Sequence, residues 1–222
     1  MFAEYSGDHY FPVYSGFDDL DLRLNTLDLN LTMDASAALL ITSPENNMLA
    51  PIFSGLRSVI LGDDENTHDA SAANGTQQAI SEGGHNTLIG GGGTNYLSSL
   101  GGNALLQGGS GINYLMTANG NDTIIGGTGP NVIMSQNNGF VGVTAPDGTS
   151  ITLADAPGFN TITDGPGDDQ ISAMRGDRIT LTDGANRIEI TGYSPADFWP
   201  TVISGFDPRS DSFEYRVAIA EQ

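Results

Sequence analysis

Neither cysteine nor lysine occurs in this chain, and histidine occurs only three times. The first absence excludes a disulfide scaffold and cysteine-ligated zinc. The second excludes Schiff-base chemistry and leaves seven arginines as the whole cationic complement, against 27 acidic residues. With a formal net charge of −20 this acidic protein repels nucleic acid and anionic lipid, and both are excluded as partners; its natural counter-partner is a cation. No apolar run approaches the ~18 residues that a membrane span needs. The N-terminal stretch MFAEYSGDHYF is acidic and aromatic where a cleaved secretory signal is basic and apolar, so export is expected to use a route that does not read the N-terminus.

Catalytic patterns are equally scarce. His9, His68 and His85 are scattered and form neither HExxH nor a two-His-one-carboxylate spacing. There is no GxSxG elbow and no Walker-type loop. Carboxylates abound, but nothing singles out one glycosidase-like pair over another. The expectation is that the chain is not an enzyme.

What the chain does have is glycine in register. Between Gly83 and Met134 apolar residues fall at Leu88, Leu97, Leu106, Leu115, Ile124 and Ile133, each nine residues after the last. Glycine at this density would cost a helix ~1 kcal/mol per residue. A three-residue strand followed by a tight glycine turn fits instead. Such strands wind into a parallel coil whose apolar position points inward and stacks on the coil below, stable only as an array. A second array carries Ile162, Ile171, Ile179 and Ile188. Ahead of both, LDLRLNTLDLNL alternates with Leu20, Leu22 and Leu24, then with Leu27, Leu29 and Leu31, the pattern of strands with one buried face. Residues 62–82 are small and polar and read as irregular turns. Asp147-Gly148 between two β-prone runs marks a hairpin. The expected division is a strand-rich segment packing on the roll (1–79), a first nonapeptide array (80–134), a hairpin insertion (135–156), and a second array with a C-terminal capping, secretion-like segment (157–222).

The nonapeptides GGSGINYLM (108–116), TANGNDTII (117–125), GGTGPNVIM (126–134) and DGPGDDQIS (164–172) resemble the RTX family, whose consensus is GGxGxDx followed by a large apolar residue and one more. The resemblance covers roughly residues 80–134 and 157–190, and the ending TVISGFDPRSDSFEY is similar to the segment that closes such arrays. It implies an all-β, right-handed parallel β-roll or β-helix with flanking strands, in which alternate nonapeptides lie in two facing sheets. It also implies calcium as cofactor, and an extracellular or cell-surface location reached by type I secretion without a cleaved signal peptide. The family holds toxins, proteases, lipases, epimerase modules, adhesins and surface-layer proteins, so the resemblance speaks to fold more than to function.

In that family the calcium ligand is the aspartate at the sixth position. Here the first array has Asn86, Asn95, Ala104, Asn113, Asp122 and Asn131 at that position, and the second has Asn160, Asp169, Asp177 and Asn186. Calcium affinity follows oxygen-ligand number and carboxylate charge. Few ions are therefore expected, mainly in the second array near Gly165, Gly167, Asp169 and Asp177, where Asp164 and Asp168 flank the glycine turn, with a single weak site at Asp122 in the first. The row Asn95, Asn113, Asn131 predicts an amide ladder along the stack.

Positions seven and nine of each repeat point outward. On one sheet they are Thr87, Ile89, Leu105, Gln107, Thr123 and Ile125; on the other they are Tyr96, Ser98, Tyr114, Met116, Val132 and Met134. Columns of Tyr96, Tyr114, Met116, Val132 and Met134 read as an interaction surface. The expected cover is the Leu-rich N-terminal strands, a second copy in self-assembly, or a protein partner. The functional expectation is a non-enzymatic extracellular structural or interaction protein, such as a surface-layer, matrix, filament or adhesin-like subunit. The alternative is a carbohydrate-active enzyme or its polysaccharide-binding module, with Tyr96 and Tyr114 as sugar platforms.

Overall fold

The computed structural model describes residues 2–4, 19–23, 28–43, 53–54, 56, 58–136, 143–144, 150–151, 159–174, 176–192 and 200–217. They form two ten-stranded sheets and one two-stranded hairpin. The long-strand sheet contains, in spatial order, β1 (Phe2–Glu4), β2 (Asp19–Leu22), β6 (Ser58–Leu61), β8 (Gln77–Ser81), β10 (Asn95–Ser99), β12 (Asn113–Ala118), β14 (Asn131–Gln136), β18 (Gln170–Met174), β20 (Arg187–Gly192) and β22 (Ser212–Val217). The short-strand sheet contains β5 (Phe53–Ser54), β4 (Ala38–Thr42), β3 (Asn30–Met33), β7 (Thr67–Asp69), β9 (Thr87–Ile89), β11 (Leu105–Gln107), β13 (Thr123–Ile125), β17 (Thr161–Thr163), β19 (Arg178–Thr180) and β21 (Val202–Ser204). Successive strands alternate between the sheets through most of the chain, so the backbone winds as a parallel β-roll. Within the two large sheets, among the described residues, the antiparallel pairings are those of β4 with β3 and with β5.

The core is two facing columns. Leu88, Leu106, Ile124, Ile162 and Ile179 stack in the short-strand sheet, and Leu97, Leu115, Ile133, Ile171 and Ile188 in the long-strand sheet. The six apolar residues of the first array are all 0 % exposed. Each such side chain contributes about 1.5–3 kcal/mol when fully buried. Several glycine positions in the turns between strands leave no room for a side chain. Gly102 has φ +79, and a Cβ there would lie 1.8 Å from the Gly84 carbonyl oxygen of the coil below.

The roll is longer than the sequence pattern indicates. Residues 62–82 hold β7 and β8, two coil strands where irregular turns are expected. The glycine signal fails there because Ala70 and Ala73, both 0 % exposed, lie in the turn region and the inner positions are His68 and Ala79. The N-terminal segment is likewise no separate layer packed on the roll. Leu20 and Leu22 stack beside Val59 and Leu61, and Leu31 stacks beside His68, so β2 and β3 extend both sheets edge to edge. Leu24 and Leu27 lie outside the described residues. At the other end β21 and β22 add a further coil. The insertion does not divide the roll either, because β13 pairs directly with β17 and β14 with β18. Its short antiparallel pair, β15 (Val143–Thr144) with β16 (Ser150–Ile151), flanks the Asp147-Gly148 dipeptide, which is itself outside the described residues.

His68 is the anomaly of the core. It is 0 % exposed between Leu31 and Leu88, and neither ring nitrogen has a hydrogen-bond partner among the described residues. Burial lowers its pKa from 6.5 to about 4, only partly opposed by Asp69. The stability gained by keeping it neutral is present above pH 6.5 and is lost as pH falls toward 4. His68→Leu should therefore flatten the loss of stability between pH 6.5 and 4, by on the order of 3 kcal/mol in denaturant titrations. Leu106→Ala, which opens a cavity in the middle of one column, should cost about 2–5 kcal/mol in the same assay.

Candidate functional site

At both edges of the roll the sixth-position side chain turns inward and is buried, and each polar one, all but Ala104, must find a hydrogen-bond partner. On the edge that precedes the long strands, Asn95 Nδ2 donates to Asn113 Oδ1 and Asn113 Nδ2 to Asn131 Oδ1, both at 2.8 Å. Oδ1 of Asn95 and of Asn113 also accepts from the backbone N–H of Gly91 and Gly109 respectively. This is the amide ladder expected from the three asparagines. It ends at Asn131, and the Asp169 carboxylate, which has no N–H, cannot carry it on to Asn186. There Asp169 Oδ1 accepts from the Asn131 backbone at 2.7 Å, while Asn131 Nδ2 turns to the Asp164 carbonyl at 2.8 Å.

The edge preceding the short strands uses a different bond. The backbone N–H of Asn66, Ala104, Asp122 and Asn160 donates to Oδ1 of Asn86, Asp122, Asn160 and Asp177 respectively, over 2.7–2.9 Å. Only an acceptor oxygen is needed, so asparagine and aspartate serve equally. An aspartate nevertheless carries a second oxygen that this bond does not use.

Those second oxygens define the candidate cation sites. Oδ2 of Asp122, Asp164 and Asp169 is buried with no hydrogen-bond partner among the described residues. Burial raises the Asp169 pKa to about 6, against the pull of the Asn131 backbone N–H and with added repulsion from Asp164 and Asp168. Burial also raises Asp122 to about 6, with a smaller push from the charge of Asp177, and raises Asp164. Between Asp164 and Asp169 the chain turns through Gly165 and Gly167, at φ +91 and +138. A Cβ on Gly165 would stand 1.9 Å from the Gly127 carbonyl oxygen, so this turn stays bare backbone. Unpartnered carboxylate oxygens beside an open glycine turn suit a hard cation that takes oxygen ligands. Among the described residues no three His, Cys, Asp or Glu side chains converge on a metal position. An ion at Asp164 and Asp169 would thus draw on backbone carbonyls for the rest of its shell.

The grouping inferred from sequence needs correction at one residue. Asp177 does not join Gly165, Gly167 and Asp169, because it is eight residues past Asp169, one half-coil further on, and lies on the opposite edge, beyond Asn160. Both its oxygens are already used: Oδ1 accepts from Asn160, and Oδ2 from the Ser135 hydroxyl and the Met174 backbone. Asp164 takes its place at the turn. Its position just before the glycine was visible in DGPGDDQ, but whether it faces inward depends on the coil.

On the outer face of the long-strand sheet the two predicted columns stand side by side. Tyr96, Tyr114 and Val132 are in one register and Ser98, Met116 and Met134 in the next. The Tyr96 and Tyr114 rings stack with centroids 4.8 Å apart and planes 8° apart. Tyr114 is 36 % exposed and Met116 only 6 %, while Tyr96, Val132 and Met134 are half-buried. Ile60 and Ile80 extend the methionine column, a continuation readable in advance at Ile80, 18 residues before Ser98. The N-terminal leucine strands do not cover these columns, since Leu20, Leu22 and Leu31 point into the core.

A two-sheet parallel roll with glycine turns and buried Asn/Asp rows defines a class of repeat protein. The model of the RTX calcium-binding nonapeptide repeat matches this chain in four copies, over residues 73–106, 100–133 and 152–180. The chain thus carries RTX nonapeptide repeats, which bind calcium. No curated protein matches it. Among the described residues no helix is long and apolar enough to cross a membrane.

A carboxylate whose pKa is raised by folding contributes stability that is fully present below pH 3.8 and is lost as pH rises through about 6. Calcium would compensate the same charge at neutral pH. Asp169→Asn should therefore raise the melting temperature at pH 7 in a chelator, yet lower the calcium stoichiometry measured by calorimetry. A variant that melts lower in chelator and binds calcium as before would remove Asp169 from the site.

Proposed function

We propose that this chain is a non-enzymatic, calcium-binding structural or interaction protein of the extracellular space or cell surface, exported by type I secretion without a cleaved signal. In this reading it works as a surface-layer, matrix, filament or adhesin-like subunit. The observation that carries it is the outer face of the long-strand sheet. Solvent-facing positions of a strand are ordinarily polar, yet here two tyrosines, two methionines and a valine stand in adjoining columns. Met116 is already covered, and burying what remains exposed of Tyr96, Tyr114, Val132 and Met134 contributes less than the ~1.5–3 kcal/mol each of a full burial, yet over four adjoining side chains; contiguous patches of this kind mark association surfaces. A second copy or a protein partner is the proposed cover.

The alternative, a carbohydrate-active enzyme or its polysaccharide-binding module, needs aromatic rings with open faces. Tyr96 and Tyr114 turn one face toward each other, which spends that face on the stack and favours the association reading. Calcium fits both readings as a structural ion, binding at the Asp164 and Asp169 turn and by Asp122.

Sedimentation of the native chain with calcium and with chelator tests the proposal. A species heavier than one chain is expected, and Tyr114→Asp combined with Val132→Asp should reduce it to a single chain with little change in melting. If native and variant chains both sediment as single chains, and no secreted partner is retained by the native face alone, the association role is lost.

A further inference from the structure

Four of the five described arginines are held by carboxylates. Arg23 pairs with Asp21 and Glu82, Arg187 with Glu214, Arg209 with Asp207, and Arg216 with Glu189 and Glu214. Arg178 is the exception. Its side chain is exposed on the outer face of the short-strand sheet, between Thr161 and Val202 in register, and it has no ion pair among the described residues. In a chain with 27 acidic residues and seven cations, a guanidinium left without a carboxylate is out of pattern.

Arg178 also lines a cavity of about 300 Å³, walled by Phe159, Thr161, Pro200 and Val202, with Asp177 also on its lining. Phe159 is 45 % exposed and Val202 42 % exposed, so the wall offers apolar surface to a ligand as well as charge. The nearest carboxylate in sequence, Asp177, does not neutralise the arginine. Its side chain is 0 % exposed and is bonded inward to Ser135, Asn160 and Met174. The volume is at the lower end for a ligand site and suits a single ring.

We infer that this cavity binds a small ring-borne carboxylate, its charge on the Arg178 guanidinium and its ring against Phe159, Pro200 and Val202. Guanidinium offers a planar fork that matches a carboxylate with two parallel N–H donors, and the apolar walls favour a flat body over a free inorganic anion. The chain's overall negative charge opposes approach from a distance. At physiological ionic strength that repulsion is screened beyond about 8 Å, while the contact at Arg178 is short enough to survive. The site lies on the opposite sheet from the tyrosine columns and is independent of the association reading.

Calorimetric titration of the full chain with benzoate, at physiological salt, tests the inference. Saturable binding is expected, with benzamide, which keeps the ring and loses the charge, at least about tenfold weaker. Arg178→Gln should weaken benzoate by about tenfold or more, and Arg178→Lys, which keeps the charge without the fork, should fall between. Because the residue is exposed, these variants should melt as the native chain does. A parallel titration with glucuronate distinguishes the source of the ring: comparable binding assigns saccharide acids, and binding of benzoate alone assigns aromatic ones. Failure of both probes to saturate, or equal benzoate binding by Arg178→Gln, would overturn the assignment.

Discussion

Each coil of this roll buries a polar side chain at its turns, and the stack holds together because that group bonds to the coil beside it. An unsatisfied buried amide or carboxylate costs about 1–3 kcal/mol, and every half-coil from Asn86 to Asn186 except that of Ala104 has such a position. Meeting that demand sets the register. Asn113 can serve Asn131 only if their strands are aligned residue for residue, and that alignment also stacks Leu115 on Ile133. The polar edges and the apolar columns therefore specify the same pairing. The insertion shows how strongly they do so, since Asp122 and Asn160 bond across 38 residues of sequence as if they were consecutive repeats.

The choice between asparagine and aspartate then divides the roll by function. Where asparagines run in line, the amide both accepts and donates, and the edge is complete without an ion. Where aspartate replaces asparagine, the ladder loses its donor and gains an unpartnered oxygen with a raised pKa, which a proton or a cation can satisfy. The first array is thus mostly self-sufficient in hydrogen bonds, and unpartnered carboxylate oxygens stand at Asp122, Asp164 and Asp169 among the described residues. Function at the outer surface is free to vary because none of this bonding uses the outward positions. The tyrosine and methionine columns on one sheet and the lone guanidinium on the other can differ without disturbing a buried bond.

Some of this was legible beforehand for a definite reason. Leu88 through Ile133 declared the coil because glycine turns kept their spacing, and Asn95, Asn113 and Asn131 declared their ladder because residues 18 apart must stack. Residues 62–82 were opaque because alanine stood in for glycine and His68 for an aliphatic residue, which removed both halves of the pattern while the coil geometry persisted. The alternation at Leu20 to Leu31 announced strands with a buried face. It could not announce which layer they joined, because a strand extending a roll and a strand lying across it have the same period of two.

The sequence alone therefore determined the class of structure, the inward and outward faces of each repeat, and the scarcity of sixth-position carboxylates. These follow from local rules: glycine where the backbone passes too close for a side chain, and apolar residues at the fixed step of one half-coil. Tertiary structure decided which coil supplies each buried partner, and with it which oxygens remain free. It placed Asp177 on the far edge with both oxygens bonded, brought Asp164 to the glycine turn, and left Arg178 over a cavity with no ion pair among the described residues. Those outcomes depend on neighbours 17 to 42 residues away in the chain, and no local pattern encodes a donor that arrives from another coil.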